Sequence, residues 1–321
     1  MTSSLFVDKY QPRTFSDFEI DPEIISILNT MININNLNIL FIGDTGCGKT
    51  SLLNALIREY YNDQSITQQQ LSENIMHINN LKEQGINYYR TDVKTFCQTA
   101  SVIKGKKKIM VLDDIDIINE QSQQVFRNSI DNFSHNVHFI ASCNNIQKVI
   151  ESLQSRFMII KIKPLRREHL INIMNKIKIR ENISIQTDAE EFILDICNNI
   201  AKILINYMEK IKLLNREITL ELASSLCTNI SLSLFQQYTE YIKQKNSRDA
   251  IKLLYTIYDK GYSVMDILDN YFLYIKTTKT LNENEKYAII PVICKYITIF
   301  HNVHEDEIEL ALMTNNLIQI I

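Results

Sequence analysis

The chain has 321 residues, of which 45% are apolar and 22% are charged, and its formal net charge at pH 7 is −3. This length predicts two or three domains. The weak negative charge excludes a uniformly basic nucleic-acid-binding protein, so contact with nucleic acid would need a local group of cations. The six cysteines never show C-x-x-C spacing, which indicates reduced thiols. Because no apolar stretch could span a membrane and no signal-peptide pattern is present, we expect a soluble intracellular protein.

The first predicted unit is an apolar strand over residues 38–42, followed by a glycine-rich loop and by a helix that begins near Lys49. Residues 43–50 read Gly-Asp-Thr-Gly-Cys-Gly-Lys-Thr and match G-x-x-x-x-G-K-T at every fixed position. The glycines let backbone N–H groups turn towards a phosphate, and the N-terminus of the helix directs its dipole at the same anion. The alternative is a glycine turn that only joins a strand to a helix.

The pattern predicts a nucleotide-binding loop. Lys49 would contact the β- and γ-phosphates, and the hydroxyl of Thr50 would bind Mg²⁺. The loop residues that we expect to bind the nucleotide are Gly43, Asp44, Thr45, Gly46, Cys47, Gly48, Lys49, Thr50 and Ser51.

Two further apolar strands end in polar side chains. The segment 106–116 ends in acids, a Walker B pattern in which Asp113 would reach Mg²⁺ or its water shell and Asp114 would orient or deprotonate a water molecule. The segment 137–145 ends in two amides, the first of which is Asn144. Strands in this order predict a doubly wound α/β domain with a parallel sheet. Ligands bind at the carboxyl edge of such sheets, so these side chains should converge there with the glycine-rich loop.

After Pro164 the apolar residues recur at helical spacing, and we expect the rest of the chain to be all-helical. A break near Thr228–Ser231 divides this half into a small helical unit and a larger terminal one. The predicted domains are therefore 1–164, 165–228 and 229–321.

Segments along the chain resemble the small subunits of sliding-clamp loaders of the replication factor C type, within the AAA+ ATPases. Val7-Asp-Lys-Tyr-Gln-Pro-Arg-Thr-Phe15 is similar to that family's Glu-Lys-Tyr-Arg-Pro box. Further similar segments are Ile78-Asn-Asn-Leu-Lys-Glu-Gln-Gly-Ile-Asn-Tyr-Tyr-Arg90, Ser122-Gln-Gln-Val-Phe-Arg127, Gln154-Ser-Arg-Phe157 and Gly261-Tyr-Ser-Val-Met-Asp-Ile-Leu268. The similarity is dense over residues 5–165 and thinner afterwards.

The resemblance implies an α/β P-loop AAA+ domain, a small helical lid domain and an all-helical C-terminal collar domain that mediates oligomerisation. It implies a hetero-pentameric ring with ATP at the subunit interfaces. Arg156 would act in trans as an arginine finger, and Asn144 would be the first sensor of the γ-phosphate. Val7 and Tyr10 would lie against the adenine.

The resemblance also implies contact with DNA on the inner wall of the ring. The groups concerned are the N-termini of helices that begin near Glu83–Ile86 and near Gln121, with Arg90 and Lys94 one helical turn apart on the first. Positive charge without a base-reading pattern predicts contact with backbone phosphates. The alternative is that these charges belong to a solvated helix face.

The sequence departs from the family pattern at Gln11 and Gln84, which replace arginines, and at two positions of the nucleotide site. Asp114 stands where the family has glutamate. The side chain is shorter by one methylene, which predicts either slow hydrolysis or a helix that is shifted to compensate, because a small misplacement near a reacting water can cost about 10²-fold. At the second sensor Ala201 replaces an arginine, which leaves Lys202 as a substitute that is not equivalent at a phosphate site. Nucleotide binding should be less affected.

We therefore predict an ATP- and Mg²⁺-binding small subunit of a clamp loader. Its partners would be other clamp-loader subunits, a sliding clamp and primer–template DNA, with no membrane. The alternatives are a regulatory ring subunit that binds ATP but hydrolyses it weakly, and a small-molecule P-loop kinase. The compartment would be the nucleus in a eukaryotic cell, or the host cytoplasm or a replication site for a virus.

Overall fold

In a computed structural model of the chain, the described residues are 5–62, 66–78, 86–197, 199–227, 230, 232–278, 280–300 and 304–320. The strands in this part of the chain are β1 (Ile39–Ile42), β2 (Ile75–Ile78), β3 (Lys108–Leu112), β4 (Val137–Cys143) and β5 (Met158–Lys161). They form one sheet in the order β2-β3-β4-β1-β5, and every neighbouring pair is parallel. The predicted parallel sheet is confirmed.

Helices alternate with these strands. Up to β5 they are α1 (Phe6–Lys9), α2 (Pro22–Ile34), α3 (Lys49–Tyr60), α4 (Gln68–Asn74), α5 (Ile86–Gln98), α6 (Glu120–Phe133) and α7 (Glu151–Gln154). After β5 they are α8 (Arg167–Glu181), α9 (Thr187–Ile196), α10 (Ala201–Leu214), α11 (Leu220–Cys227), α12 (Leu232–Lys243), α13 (Ser247–Tyr258), α14 (Val264–Thr277), α15 (Glu283–Ile299) and α16 (Ile308–Ile320). The all-helical second half is confirmed. None of the described helices is both long and apolar enough to cross a membrane.

The central strands are buried on both faces. Ile39 and Phe41 of β1 belong to a core that contains α3 residues such as Leu52, whereas Leu40 belongs to a second core with Val93 of α5 and Phe126 of α6. Successive side chains of a strand point to opposite faces, so helices cover the sheet on both sides. This explains why β1, β3 and β4 read as continuous apolar runs.

The chain divides into two compact units. The first contains the described residues of 1–174 and 199–206, and the second those of 175–198 and 207–321. The second unit has an apolar core whose buried residues run from Ile230 to Leu317. The three domains with boundaries at 164 and 228 stay a prediction.

Candidate nucleotide-binding site at the carboxyl edge of the sheet

The glycine-rich loop joins the end of β1 to the start of α3, as predicted. Gly46 and Gly48 have φ angles of +81° and +96°, in the left-handed region that favours glycine. At Gly43 space is the constraint, because an added Cβ would lie 2.7 Å from the Sγ of Cys47 and 2.7 Å from the carbonyl oxygen of Ile162. Each of the three glycines is therefore used by the loop, through its backbone angle or through close packing.

Lys49 is the buried cation of the loop, with 6% of its surface exposed. Its Nζ donates to the carbonyl oxygens of Gly43 and Asp44 at 2.9 and 3.0 Å and to Oδ1 of Asn144 at 2.7 Å. These bonds hold the ammonium group at the end of β1 and connect it to the end of β4. The structure thus brings Lys49 and Asn144 together.

Thr50 and Asp113 also meet, since the Thr50 hydroxyl donates to Oδ2 of Asp113 at 3.1 Å. Hydroxyl and carboxylate oxygens are ligands that Mg²⁺ accepts, so this pair fits the predicted metal ion. The Ser142 side chain, which is fully buried, donates to Oδ1 of Asp113 and accepts from the backbone N–H of Asp114 at 3.0 Å. No motif in the sequence pointed to Ser142, although a serine inside an apolar strand is a possible signal.

Asp114 occupies the turn after β3 in a left-handed conformation, with φ 50° and ψ 52°. Its Oδ1 accepts from the side-chain amide of Asn144 at 3.4 Å. Burial raises the pKa of this carboxyl, and the charges of Asp113 and Asp116 raise it further. The environment therefore favours a carboxylate that takes up a proton more readily than an exposed aspartate.

Gln123 on α6 positions the same turn, and it is fully buried. Its side-chain amide lies 3.4, 2.9 and 3.0 Å from the carbonyl oxygens of Ile115, Ile118 and Lys148, and its Oε1 accepts from the N–H of Ile150 at 2.9 Å. One side chain thus connects the segment after β3 to the segment after β4. The resemblance pointed to the motif around Gln123 but not to this role.

The N-terminal segment reaches the start of α3. Val7 lies in α1, Tyr10 follows that helix, and Nε2 of Gln11 donates to the hydroxyl of Ser51 at 3.5 Å. Phe15 is buried in the same core as Leu52. This arrangement places the segment beside the phosphate loop, and the adenine contacts of Val7 and Tyr10 stay predictions.

The start of α10 also lies at the loop, because an added Cβ at Gly46 would meet Cγ2 of Ile200 at 2.7 Å. Ala201 and Lys202 follow directly, and Lys202 is exposed in the first turn of α10. The structure therefore brings the segment of the predicted second sensor to the phosphate loop, without a contact that assigns a role to Lys202.

Arg156 lies at the opposite edge of the sheet. It precedes β5, whose first residue Met158 is paired with Ile39 at the start of β1, whereas the phosphate loop begins after Ile42 at the end of that strand. The guanidinium group instead contacts Asp131 of α6, with Nε 3.0 Å from Oδ1. The structure does not bring Arg156 to the phosphate loop of its own chain.

The predicted DNA-contacting cations lie on α5, where Arg90 and Lys94 are both exposed. Glu83 and Gln84 lie outside the described residues. The helix predicted near Gln121 is α6, which Asn119 caps by accepting from the N–H of Ser122 at 2.9 Å.

Two family models match the chain. Residues 39–165 match the ATPase family associated with various cellular activities, AAA, and residues 231–296 match the replication factor C C-terminal domain. A Thermotoga maritima structure described as the RuvB Holliday junction branch migration motor has a TM-score of 0.54 at 13% identity, and the match covers 74% of this chain and 80% of that one. At this identity the similarity concerns the fold alone.

Named relatives cover most of the chain. The replication factor C small subunit 2 of Pyrobaculum islandicum is 29% identical over 270 residues, which are 84% of this chain and 82% of that protein. The replication factor C small subunit of Methanococcus maripaludis is 28% identical over 90% of both chains. A putative replication factor C small subunit of Acanthamoeba polyphaga mimivirus is 25% identical over 91% of this chain and 90% of that one.

These matches confirm the resemblance that the motifs indicated. The AAA domain implies that the chain binds a nucleotide. The chain therefore contains an AAA domain and a replication factor C C-terminal domain, and over most of its length it is similar to replication factor C small subunits.

Proposed function

We propose that this chain is the ATP-binding small subunit of a complex that loads a ring-shaped sliding clamp onto primer–template DNA, with ATP hydrolysis at the subunit interfaces. The observation that carries the proposal is the separation of two functional groups. Lys49, Thr50 and Asp113 converge at the carboxyl edge of the sheet, whereas Arg156 lies at the amino edge.

The register of the sheet supports action in trans. Met158 is paired with Ile39, and β1 then runs four residues to the start of the phosphate loop. At about 3.3 Å per residue, this length separates the two edges by roughly 13 Å. An arginine finger at the amino edge is therefore suited to the nucleotide of a neighbouring subunit. Each nucleotide site would combine the phosphate loop of one subunit with the arginine of another.

The residues of the site would divide the work of phosphoryl transfer. Lys49 would hold the γ-phosphate, and Thr50 and Asp113 would hold Mg²⁺, which neutralises phosphate charge when bound. Asp114 would orient the attacking water and accept its proton. Asn144 contacts both Lys49 and Asp114. These contacts support a role in which Asn144 couples the presence of the γ-phosphate to the position of the Asp114 carboxylate.

The test uses the complete complex with its partner subunits. To isolate the nucleotide site of this subunit, the phosphate-loop lysines of the other subunits are replaced. Lys49→Ala should abolish nucleotide binding by this subunit. Arg156→Ala should preserve that binding and lower the clamp- and DNA-stimulated rate at the neighbouring site by about 10³-fold, the contribution typical of arginine fingers. The Arg156→Ala rate is measured in a complex whose neighbouring subunit keeps its phosphate-loop lysine, so that the neighbouring site can hydrolyse ATP. The matched control is Arg180→Ala, which removes an exposed arginine on α8.

The second candidate is a regulatory ring subunit that binds ATP and hydrolyses it weakly. The short side chain of Asp114 and the alanine at position 201 favour it. Unchanged complex rates with both Lys49→Ala and Arg156→Ala would support this candidate and contradict the catalytic proposal. In either case Arg90 and Lys94 are the proposed contacts to DNA phosphates.

A further inference from the structure

The guanidinium group of Arg156 is held by its own chain. Nε and one terminal nitrogen donate to the two carboxylate oxygens of Asp131 at 3.0 and 3.2 Å. The other terminal nitrogen donates to the carbonyl oxygen of Ser152 at 2.7 Å and to the hydroxyl of Ser155 at 2.9 Å. The bond from Arg156 holds the pKa of the Asp131 carboxyl below its usual range. The pair thus has the two-pronged geometry that arginine forms with carboxylates.

These contacts nearly saturate the arginine. A guanidinium group has five N–H donors, and four of them are engaged by Asp131, Ser152 and Ser155. Binding of a phosphate through two parallel N–H···O bonds needs donors that are now directed at these partners. Arg156 must therefore release part of its present contacts before it can bind a phosphate.

A second cation stands next to the same carboxylate. Arg127, one turn before Asp131 on α6, has its Nε 3.7 Å from Oδ2 of Asp131. Among the residues that the structure describes, this buried Nε has no hydrogen-bond partner. Because Arg127 already lies next to this carboxylate, Asp131 need not lose all of its charge pairing when Arg156 leaves.

We propose that Asp131 is a positioning residue that holds the finger Arg156 in a resting position, and that Arg127 replaces Arg156 at this carboxylate when the finger engages a neighbour's nucleotide. The inference rests on the trans role proposed for Arg156. Its consequence is a competition between an internal carboxylate and an external phosphate for one guanidinium group.

We call the contact between Arg156 and Asp131 the latch, and its strength allows it to open reversibly. The side chains of Arg156 and Asp131 are 29% and 40% exposed, and partly exposed pairs contribute at most about 1 kcal/mol, which corresponds to about fivefold in an equilibrium. The more negatively charged phosphates of ATP can displace a carboxylate held this weakly. Loss of the carboxylate should therefore raise the population of the free finger by about fivefold.

The experiment compares Asp131→Asn with Glu151→Gln in the assembled complex in which, of all the subunits, only the neighbour keeps its phosphate-loop lysine. Both changes remove one negative charge, but the exposed Glu151 on α7 has no ion pair within the described part of the chain. We expect Asp131→Asn to raise the ATPase rate without clamp and DNA by about fivefold and to leave the stimulated rate nearly unchanged. Stimulation should therefore fall by the same factor, while Glu151→Gln changes neither rate.

A residue that only stabilises the fold or preorganises the finger would act in the opposite direction, by lowering the stimulated rate. That result, or two unchanged rates, would overturn the latch. The double variant Asp131→Asn with Arg156→Ala should match Arg156→Ala alone. If Arg156→Ala changes no rate, both the trans role and the latch are contradicted. If Arg156→Ala lowers the stimulated rate but Asp131→Asn changes neither rate, only the latch is contradicted.

The isolated chain offers an independent readout. The Nε–H resonance of Arg156 should exchange slowly with water in the wild-type protein and in Glu151→Gln, and faster in Asp131→Asn. Equal exchange in all three proteins would contradict the ion pair itself, whatever the ATPase rates.

Discussion

At the scale of single residues, the backbone gives a reason for aspartate at position 114. Its φ of 50° lies in the left-handed region, which L-residues other than glycine rarely adopt and which asparagine and aspartate tolerate best. Ser142 fixes the turn by accepting from the Asp114 N–H. A glutamate at this position would reach further but would fit this backbone less well, so the departure from the family pattern matches the local structure.

Asp114→Asn separates the carboxylate from the shape of the side chain. Asparagine tolerates the left-handed conformation, so the free energy of unfolding should change by less than about 0.5 kcal/mol. Nucleotide affinity should be retained because Lys49 and Asp113 remain. In the complex whose other subunits have lost their phosphate-loop lysines, the hydrolysis rate should fall by at least about 10²-fold, the usual contribution of a general base. An unchanged rate in a turnover assay would remove Asp114 from the proposed mechanism.

At the scale of elements, a buried histidine fastens the start of β4 to the connection between α2 and β1. Nδ1 of His138 accepts from the N–H of Leu37 at 3.3 Å, and Nε2 lies 3.1 Å from Oδ1 of Asn35. These contacts fit the neutral ring with its proton on Nε2. Burial, together with the charge of Lys107, lowers the pKa of His138 from 6.5 to about 3. The histidine is thus a neutral structural link.

This link predicts how stability depends on pH. The folded-state pKa lies below the unfolded value, so between pH 6.5 and pH 3 the unfolded chain binds a proton that the folded chain does not. The contribution of His138 is therefore intact above pH 6.5 and declines as the pH falls, with a loss of about 2 kcal/mol between pH 7.5 and pH 5.

Denaturant unfolding at the two pH values measures the effect. His138→Gln should weaken the pH dependence by about this amount, whereas His135→Gln, which replaces an exposed histidine three residues earlier, should leave it unchanged. Identical pH dependence in all three proteins would mean that His138 does not carry this linkage.

At the scale of the whole molecule, the C-terminal helices have a core of their own. Tyr271 is fully buried, and its ring centroid lies 5.5, 5.0 and 6.2 Å from those of Phe235, Tyr238 and Tyr274. The hydroxyl of Tyr238 is hydrogen-bonded to that of Thr314 at 2.8 Å, which joins α12 to α16. A core that contains only residues from this region predicts a segment able to fold separately.

We expect a fragment of residues 229–321 to be helical and to unfold in one cooperative thermal transition, followed by circular dichroism. In the same fragment, Tyr271→Ala should lower the free energy of unfolding by about 3–5 kcal/mol, because removal of a large aromatic side chain leaves a cavity. A wild-type fragment without a cooperative transition would contradict the predicted domain boundary near residue 228.

The sequence alone determined the parallel sheet, the phosphate loop and the helical second half. These features follow from local signals, since buried parallel strands need continuous apolar runs and a phosphate loop needs glycines at fixed spacing. The strands β2 and β5 were not assigned, because both are short runs of four residues at the edges of the sheet, where their side chains are only partly buried. Edge strands leave a weaker pattern.

Contacts between distant segments were decided by the tertiary structure. Ser142 beside Asp113, Gln123 between two loops, and Ile200 against Gly46 each join residues that carry no joint pattern along the chain. The same holds for Asp131, whose pairing with Arg156 spans 25 positions. Spacing in the sequence predicts which groups follow a strand or share a helix face. Only packing decides which carboxylate meets which arginine, because that depends on how the helices lie against the sheet.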